Sequence, residues 1–134
     1  MRGECITLYY RELRYMIKRI LVVDDEKNIR LMIGRCLADS SYSIEQANSA
    51  EEALEHLALY DYDLMLLDLR LPGMDGMELL AQMKDLGILT PTVIISAHGT
   101  VDAAVKLMKS GVLDFLEKPF SPDELRQIVA KYLQ

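Results

Sequence analysis

Five polar side chains stand at the ends of short apolar runs in the sequence: Asp24, Asp25, Asp68, Ser96 and Lys118. Three carboxylates brought together repel one another unless a cation compensates, and all-oxygen ligands suit Mg²⁺. A lysine adds a positive charge and a serine adds a hydroxyl, so the set has the groups that hold a phosphoryl group during transfer. A carboxylate in such a site can itself be the nucleophile and form an acyl phosphate.

None of these residues is a specific signal when it is taken alone. A lone aspartate after an apolar run, such as Asp68, more often ends a strand or caps a turn than reacts. An acidic pair after a strand is common, and a Lys-Pro pair is a weaker signal still. The prediction therefore depends on the whole set being brought to one edge of one fold.

The elements that must position these residues alternate along the chain. Five apolar runs predict strands, at residues 20–23, 42–47, 64–68, 92–96 and 112–116. Amphipathic helices follow each of them, and four residues predict helix N-caps: Ser49, Asp75, Thr100 and Ser121. This alternation predicts an α/β domain with a parallel sheet and right-handed crossovers. The carboxyl ends of its strands then meet at one edge, where ligands bind in open parallel sheets.

Two helices carry further predictions about burial. In the first helix, Cys36 lies on the apolar stripe and is predicted to be a buried thiol. In the fourth helix, the predicted buried face is Val101, Ala104, Val105 and Met108, whose role is expected to be core packing first. His98 is predicted to be a loop residue, because no second histidine or cysteine stands at a metal-ligand spacing.

The composition bounds the class of protein. The 134 residues predict one domain, and 51% hydrophobic residues can supply a core. A net charge of −6 argues against direct nucleic acid binding through a broad basic face. No apolar stretch has the length of a membrane span, and no signal peptide is recognisable, so we expect a cytoplasmic protein. Cys5 and Cys36 do not make a disulfide framework.

The N-terminal stretch, residues 1–17, is predicted to be an extension that precedes a domain at residues 18–134. Tyr9, Leu13, Met16 and Ile17 have helical spacing, which favours a short helix. The competing interpretation is that residues 1–15 arise from an upstream start codon or from cloning. The sequence alone leaves both interpretations open.

The set of motifs resembles the receiver domain of two-component response regulators. The resemblance rests on Asp24-Asp25, on the run LLDLRLPGMDG at residues 66–76, on Ser96-Ala97 and on Lys118-Pro119. It implies a three-layer, flavodoxin-like, doubly wound sheet of five parallel strands in the order 2-1-3-4-5. The run GVLDFLEKPF at residues 111–120 is similar to receivers of the nitrogen-regulator type, which usually precede an ATPase domain that activates transcription.

The resemblance also implies a role for each acidic residue. Asp68 would accept a phosphoryl group from a phosphohistidine on a sensor histidine kinase. Asp25 and Asp68 would bind Mg²⁺ directly, Asp24 partly through water, and the backbone carbonyl of Arg70 would complete the protein ligands. The domain would catalyse only its own phosphotransfer and autodephosphorylation, and would not otherwise be an enzyme.

Further residues would bind or sense the phosphoryl group. Lys118 and Ser96 would each bind a phosphoryl oxygen, and the backbone of Ala97 would contact the group. Phe115 would move inward together with Ser96, and the Lys118-Pro119 peptide bond would be cis. Ser96 and Phe115 stand where many receivers have threonine and tyrosine, which affects kinetics more than mechanism.

Phosphorylation would change one face of the domain, formed by residues 101–109 and 115–133. We expect a homodimer through this face that phosphorylation favours, with an output domain or effector that lies outside this chain. The predicted role is thus control of transcription through a phosphorelay, without a membrane and without direct nucleic acid contact.

Three other classes of protein compete with the receiver. Aspartate-nucleophile phosphatases need a second acidic residue two positions after the nucleophile, and Arg70 stands there. Nucleotide-binding and flavin-binding domains need a glycine-rich loop, but Asp24-Asp25 follows the first strand. A pseudo-receiver that signals by protein contact alone would not need the full set of acidic, hydroxyl and lysine positions.

Overall fold

In a computed structural model of the chain, five parallel strands form one sheet in the order β2-β1-β3-β4-β5. The structure describes residues 17–38, 41–97, 101–109 and 111–133. The strands are β1 (Lys18–Val23), β2 (Tyr42–Ala47), β3 (Leu64–Asp68), β4 (Thr92–Ala97) and β5 (Asp114–Lys118). The helices are α1 (Lys27–Leu37), α2 (Ala50–Leu59), α3 (Gly76–Asp85), α4 (Val101–Lys109) and α5 (Pro122–Leu133). The predicted fold class and strand order are confirmed.

The sheet is covered by apolar layers on both faces. Along β1, Leu21 and Val23 pack into one cluster with residues of α2, α3 and α4. Ile20 and Val22 pack into the other, with residues of α1 and α5. This alternation arises because successive side chains of a strand point to opposite faces. The second cluster includes Cys36, which is a buried free thiol as predicted.

Three of the four predicted N-caps are present in the described residues. The Ser49 hydroxyl accepts the Glu52 N–H at 3.1 Å, and the Asp75 carboxylate accepts the Glu78 N–H at 2.8 Å. Ser121 accepts the Glu124 N–H at 3.1 Å. The predictions for Thr100, His98, Cys5 and the N-terminal extension fall on residues outside the described ranges. The boundary between an extension and the domain stays a prediction.

Strand β5 begins two residues later than predicted, at Asp114 instead of Val112. The Val112 N–H donates to the Leu107 carbonyl at 3.2 Å and so belongs to the turn that ends α4. Gly111 supplies the positive φ of 114° that this turn requires. The displacement extends the strand to Lys118, whose Cα lies opposite that of Ala97.

The predicted buried face of α4 is wrong for Val105 and Met108. These two side chains are 47% and 44% exposed, and Leu107 is buried instead. The apolar residues of this short helix span more than one face, so helical spacing alone did not select the buried one. The side chains of Val101 and Ala104 fall outside the described part. None of the helices in the described ranges has the length and hydrophobicity that a membrane span requires.

Candidate functional site

The three predicted acidic residues converge at the carboxyl edge of the sheet. Strands β1 and β3 are neighbours with Val23 opposite Leu67, so the residues that follow both positions lie side by side. Each of Asp24, Asp25 and Asp68 offers a carboxylate oxygen within 4.8 Å of the other two. Asp24 and Asp68 are buried, whereas Asp25 is exposed. The cluster therefore opens to solvent on the Asp25 side.

Lys118 reaches this cluster from the carboxyl end of the edge strand β5. Its Nζ lies 2.6 Å from Asp24 Oδ2 and 2.9 Å from Asp68 Oδ2. The Lys118 side chain is 14% exposed, so both ion pairs are largely shielded from water. The Lys118-Pro119 peptide bond is cis, as the resemblance implies.

Burial and ion pairing shift the pKa values in this cluster. Burial raises the pKa of Asp24 above its ordinary value, and the Lys118 ammonium and the Glu26 N–H oppose this shift only in part. Burial lowers the pKa of Lys118, but its hydrogen bonds and charge interactions with Asp24 and Asp68 outweigh that effect and raise the pKa overall. The lysine is therefore charged at neutral pH.

The backbone orients both buried carboxylates. Asp24 Oδ1 accepts the Glu26 N–H at 2.8 Å, and Asp68 Oδ1 accepts the Arg70 N–H at 3.0 Å. In each case the other oxygen faces Lys118. Protein groups thus hold the two carboxylates in defined orientations.

Ser96 is the one buried side chain in the described residues whose polar atom has no hydrogen-bond partner among the protein atoms. It lies in β4, next to the strand that carries Asp68, and it is fully buried. An unpaired buried hydroxyl costs free energy, so such a group calls for an explanation. A ligand oxygen at this edge of the sheet would satisfy it.

The remaining predicted positions lie around the same edge. Ala97 ends β4 opposite Lys118 and is partly exposed. Phe115 is partly buried against the cluster formed with α2, α3 and α4. The exposed Arg70 contributes its N–H to Asp68, whereas metal binding by its carbonyl stays a prediction.

Sequence reasoning missed Arg30, which contacts the same site. Its Nη1 donates to the backbone carbonyl of Asp24 at 2.7 Å. The available signal was an arginine one turn into the helix that follows the acidic pair. Spacing alone does not show that such a residue turns back toward the strand.

The donor set fits a hard divalent cation. Three carboxylates lie together and one ammonium pairs with two of them, which leaves an excess of negative charge on oxygen ligands. Residues 20–130 match the response regulator receiver domain family. The chain belongs to this family. The acidic cluster of this receiver is the kind of pocket in which receivers bind Mg²⁺.

Curated relatives of this receiver are transcriptional regulators. The chain is 45% identical over 116 residues to the alginate biosynthesis transcriptional regulatory protein AlgB of Pseudomonas aeruginosa, covering 87% of the chain and 26% of AlgB. It is 39% identical over 112 residues to the DNA-binding transcriptional regulator NtrC of Escherichia coli, covering 84% of the chain and 24% of NtrC. The chain thus spans about a quarter of the length of these relatives.

A solved structure agrees with this assignment. The receiver domain of NtrX from Brucella abortus superposes with a TM-score of 0.79 at 37% identity, covering 85% of this chain and 97% of that domain. The predicted resemblance to NtrC-type receivers is confirmed by these relatives.

Proposed function

We propose that this receiver is a phosphorylation-dependent switch of a two-component system and that Asp68 is its phosphoacceptor. One observation carries the proposal: a buried Asp68 shares the Lys118 ammonium with Asp24, near a buried serine hydroxyl that lacks a partner. An oxygen of Asp68 would attack the phosphorus of a phosphohistidine on a sensor kinase. The P–N bond breaks, its electron pair returns to the imidazole, and an acyl phosphate forms on Asp68.

The carboxylates of Asp24, Asp25 and Asp68, with the carbonyl of Arg70, would hold Mg²⁺. When bound, the cation supplies charge neutralisation between the carboxylates and the phosphoryl oxygens. Lys118 provides a second positive charge and would bind one phosphoryl oxygen. The geometry that supports this role is the position of its Nζ within 2.9 Å of Asp68 Oδ2.

Ser96, Ala97 and Phe115 would translate the new charge into a change of surface. The Ser96 hydroxyl would donate to a phosphoryl oxygen, and the backbone of Ala97 would contact another. Phe115 would move inward with Ser96 and alter the face formed by α4, β5 and α5. This is a local electrostatic event that biases an element with two arrangements.

The partners follow from the same proposal. A sensor histidine kinase would supply the phosphoryl group in the cytoplasm, and a second copy would dock on the α4-β5-α5 face. The exposed apolar side chains of Val105 and Met108 support this choice of surface. Control of transcription would pass through an output domain or effector outside this chain, without nucleic acid contact by the receiver.

The test is incubation with acetyl phosphate and Mg²⁺, followed by intact mass measurement. We expect addition of one phosphoryl group that is stable in acid and labile in base, and that EDTA reduces. Asp68→Asn should abolish the addition, whereas the exposed Asp61→Asn should retain it as the matched control. Absence of the addition in the unaltered protein would contradict the assignment of Asp68.

A further inference from the structure

Arg30 is a charged residue of α1 that turns back to the acidic turn after β1. Its Nη1 donates to the Asp24 carbonyl at 2.7 Å, and its Nε donates to Gln46 Oε1 at 3.2 Å. The two bonds link α1 to the end of β1 and to β2. A hydrogen bond from a charged donor at such a distance is stronger than one between neutral groups.

The turn that Arg30 contacts begins where the backbone hydrogen bonds between β1 and β2 end. The Asp24 N–H donates to the Ala47 carbonyl at 3.2 Å, in continuation of the β1-β2 pairing. Beyond that bond, Asp24 Oδ1 accepts the Glu26 N–H at 2.8 Å. The carbonyl that Arg30 binds lies between these two contacts, and Asp25 is the next residue.

We propose that Arg30 is a positioning residue for the acidic cluster. By holding the Asp24 carbonyl, it fixes the turn at residues 24–26 and thereby the direction in which the Asp24 and Asp25 carboxylates face Asp68. The proposal rests on the proposed function, since this orientation matters only if the cluster binds a cation and a phosphoryl group. Preorganised ligands bind more tightly because less ordering is needed on binding.

The competing explanation is that Arg30 only stabilises the fold, and Arg126 offers a matched comparison. Arg126 Nε donates to the Cys36 carbonyl at 3.1 Å, and its Nη1 donates to Asp123 at 3.1 Å. This arginine also joins a backbone carbonyl to a side chain, but between α1 and α5. A purely structural role predicts that Arg30 and Arg126 variants behave alike.

The first measurement is amide hydrogen exchange in EDTA, with the Glu26 amide as the reporter. Its N–H is bonded to Asp24, so its exchange rate reports the order of the turn without any metal. We expect Arg30→Met to accelerate Glu26 exchange by about tenfold relative to the central-strand amide of Leu66. Arg126→Met and Gln46→Ala should leave this ratio unchanged, since both keep the bond to the Asp24 carbonyl.

The second measurement is an NMR titration with Mg²⁺. Arg30→Met should raise the Mg²⁺ concentration at half-saturation by about tenfold, and saturating Mg²⁺ should restore most of the phosphorylation rate with acetyl phosphate. The Mg²⁺ midpoint of Arg30→Lys should lie between those of the unaltered protein and Arg30→Met, because one ammonium replaces two directed donors. If Arg30→Met does not fold, Arg30→Lys is the variant used in both measurements.

Unchanged Glu26 exchange and an unchanged Mg²⁺ midpoint in the Arg30 variants would overturn the positioning role. This outcome is distinct from failure of the proposed function. That failure would appear as no phosphoryl addition to the unaltered protein at saturating Mg²⁺.

Discussion

Each of the two buried aspartates at the site is held through both of its oxygens. The backbone binds Oδ1 of Asp24 and of Asp68, and the Lys118 ammonium binds both Oδ2 atoms. One cation therefore compensates two buried charges. Removal of the Lys118 ammonium would leave both carboxylates as poorly solvated negative charges.

Lys118→Met should destabilise the protein by about 3 kcal/mol in EDTA, because Asp24 is fully buried and would lose its counter-charge. The measurement is urea unfolding followed by circular dichroism. Lys131→Met is the matched control, since Lys131 is 65% exposed and lies 3.6 Å from Asp114 Oδ2. Equal losses in the two variants would contradict the account of the buried pairs.

A second group of polar residues, which the sequence did not reveal, joins β1, β2 and the segment before β3. Arg19 Nη2 lies 2.5 Å from Glu45 Oε1, and the Tyr62 hydroxyl donates to the other oxygen of Glu45. The Arg19 guanidinium also stacks over the Tyr62 ring, with 5.1 Å to the ring centroid. Pairing between distant residues depends on strand neighbours, and residue spacing does not encode it.

This group predicts a pH dependence of stability. Burial alone would raise the pKa of Glu45, but its bonds with Tyr62 and Arg19 lower it below its ordinary 4.5. A carboxyl whose folded pKa is depressed stabilises the fold above its unfolded pKa and loses that contribution as the pH falls through the folded value. The free energy of unfolding should therefore fall less steeply below about pH 5 in Glu45→Gln than in the unaltered protein.

Urea midpoints measured across this pH range check the prediction. The exposed Glu55→Gln in α2 is the control and should follow the unaltered protein. A Glu45→Gln curve parallel to that of the unaltered protein would show that Glu45 does not supply the acid-sensitive contribution.

At the scale of elements, sequence patterns predicted those strands and helix caps that depend on a short stretch of chain. The continuous apolar run at residues 64–67 predicted a strand that is buried on both faces. It forms the central strand β3, whose residues are all buried. The caps at Ser49 and Asp75 formed because short polar side chains satisfy helix N–H groups locally. The predicted start of β5 was wrong because the turn at Gly111 keeps the Val112 N–H on the Leu107 carbonyl. The predicted buried face of α4 was wrong because Leu107 packs into the core cluster instead.

The loop after β3 shows how closely one element constrains the site. A Cβ on Gly76, the first residue of α3, would lie 2.7 Å from the Asp68 carbonyl oxygen and 2.8 Å from Leu69 Cα. The Gly76 N–H donates to the Leu69 carbonyl at 3.0 Å. The start of α3 thus packs directly on the backbone of the proposed phosphoacceptor.

Gly76→Ala should cost about 2 kcal/mol of stability and slow phosphorylation, because α3 or the Asp68 backbone must move. Gly34→Ala is the matched control, because a Cβ at Gly34 would meet nothing within 4 Å. Alanine in place of glycine should stabilise the interior of α1 by about 1 kcal/mol. Thermal unfolding and acetyl phosphate labelling measure both effects. Equal stability of the two variants would contradict the close-packing account.

At the scale of the whole molecule, the site and the proposed dimer face share β5. This strand carries Lys118 at one end and Phe115 within it, and its partner β4 carries Ser96. A phosphoryl charge at the sheet edge would therefore act on β5, the strand between α4 and α5 in the chain, through the paired strands β3 and β4. Val105 and Met108 are exposed apolar residues of α4, the helix that precedes β5 in the chain.

Beryllium fluoride, a stable mimic of the phosphoryl group, should therefore shift the receiver from monomer to dimer in sedimentation velocity with Mg²⁺. Met108→Lys should weaken the shift, because a buried apolar contact would be replaced by a charge that must be desolvated. Leu31→Lys is the control, since Leu31 is a similarly exposed apolar residue at 38% but lies on α1, on the opposite face of the sheet from α4. Identical sedimentation with and without the mimic would contradict the dimer, and equal effects of both lysines would contradict the choice of face.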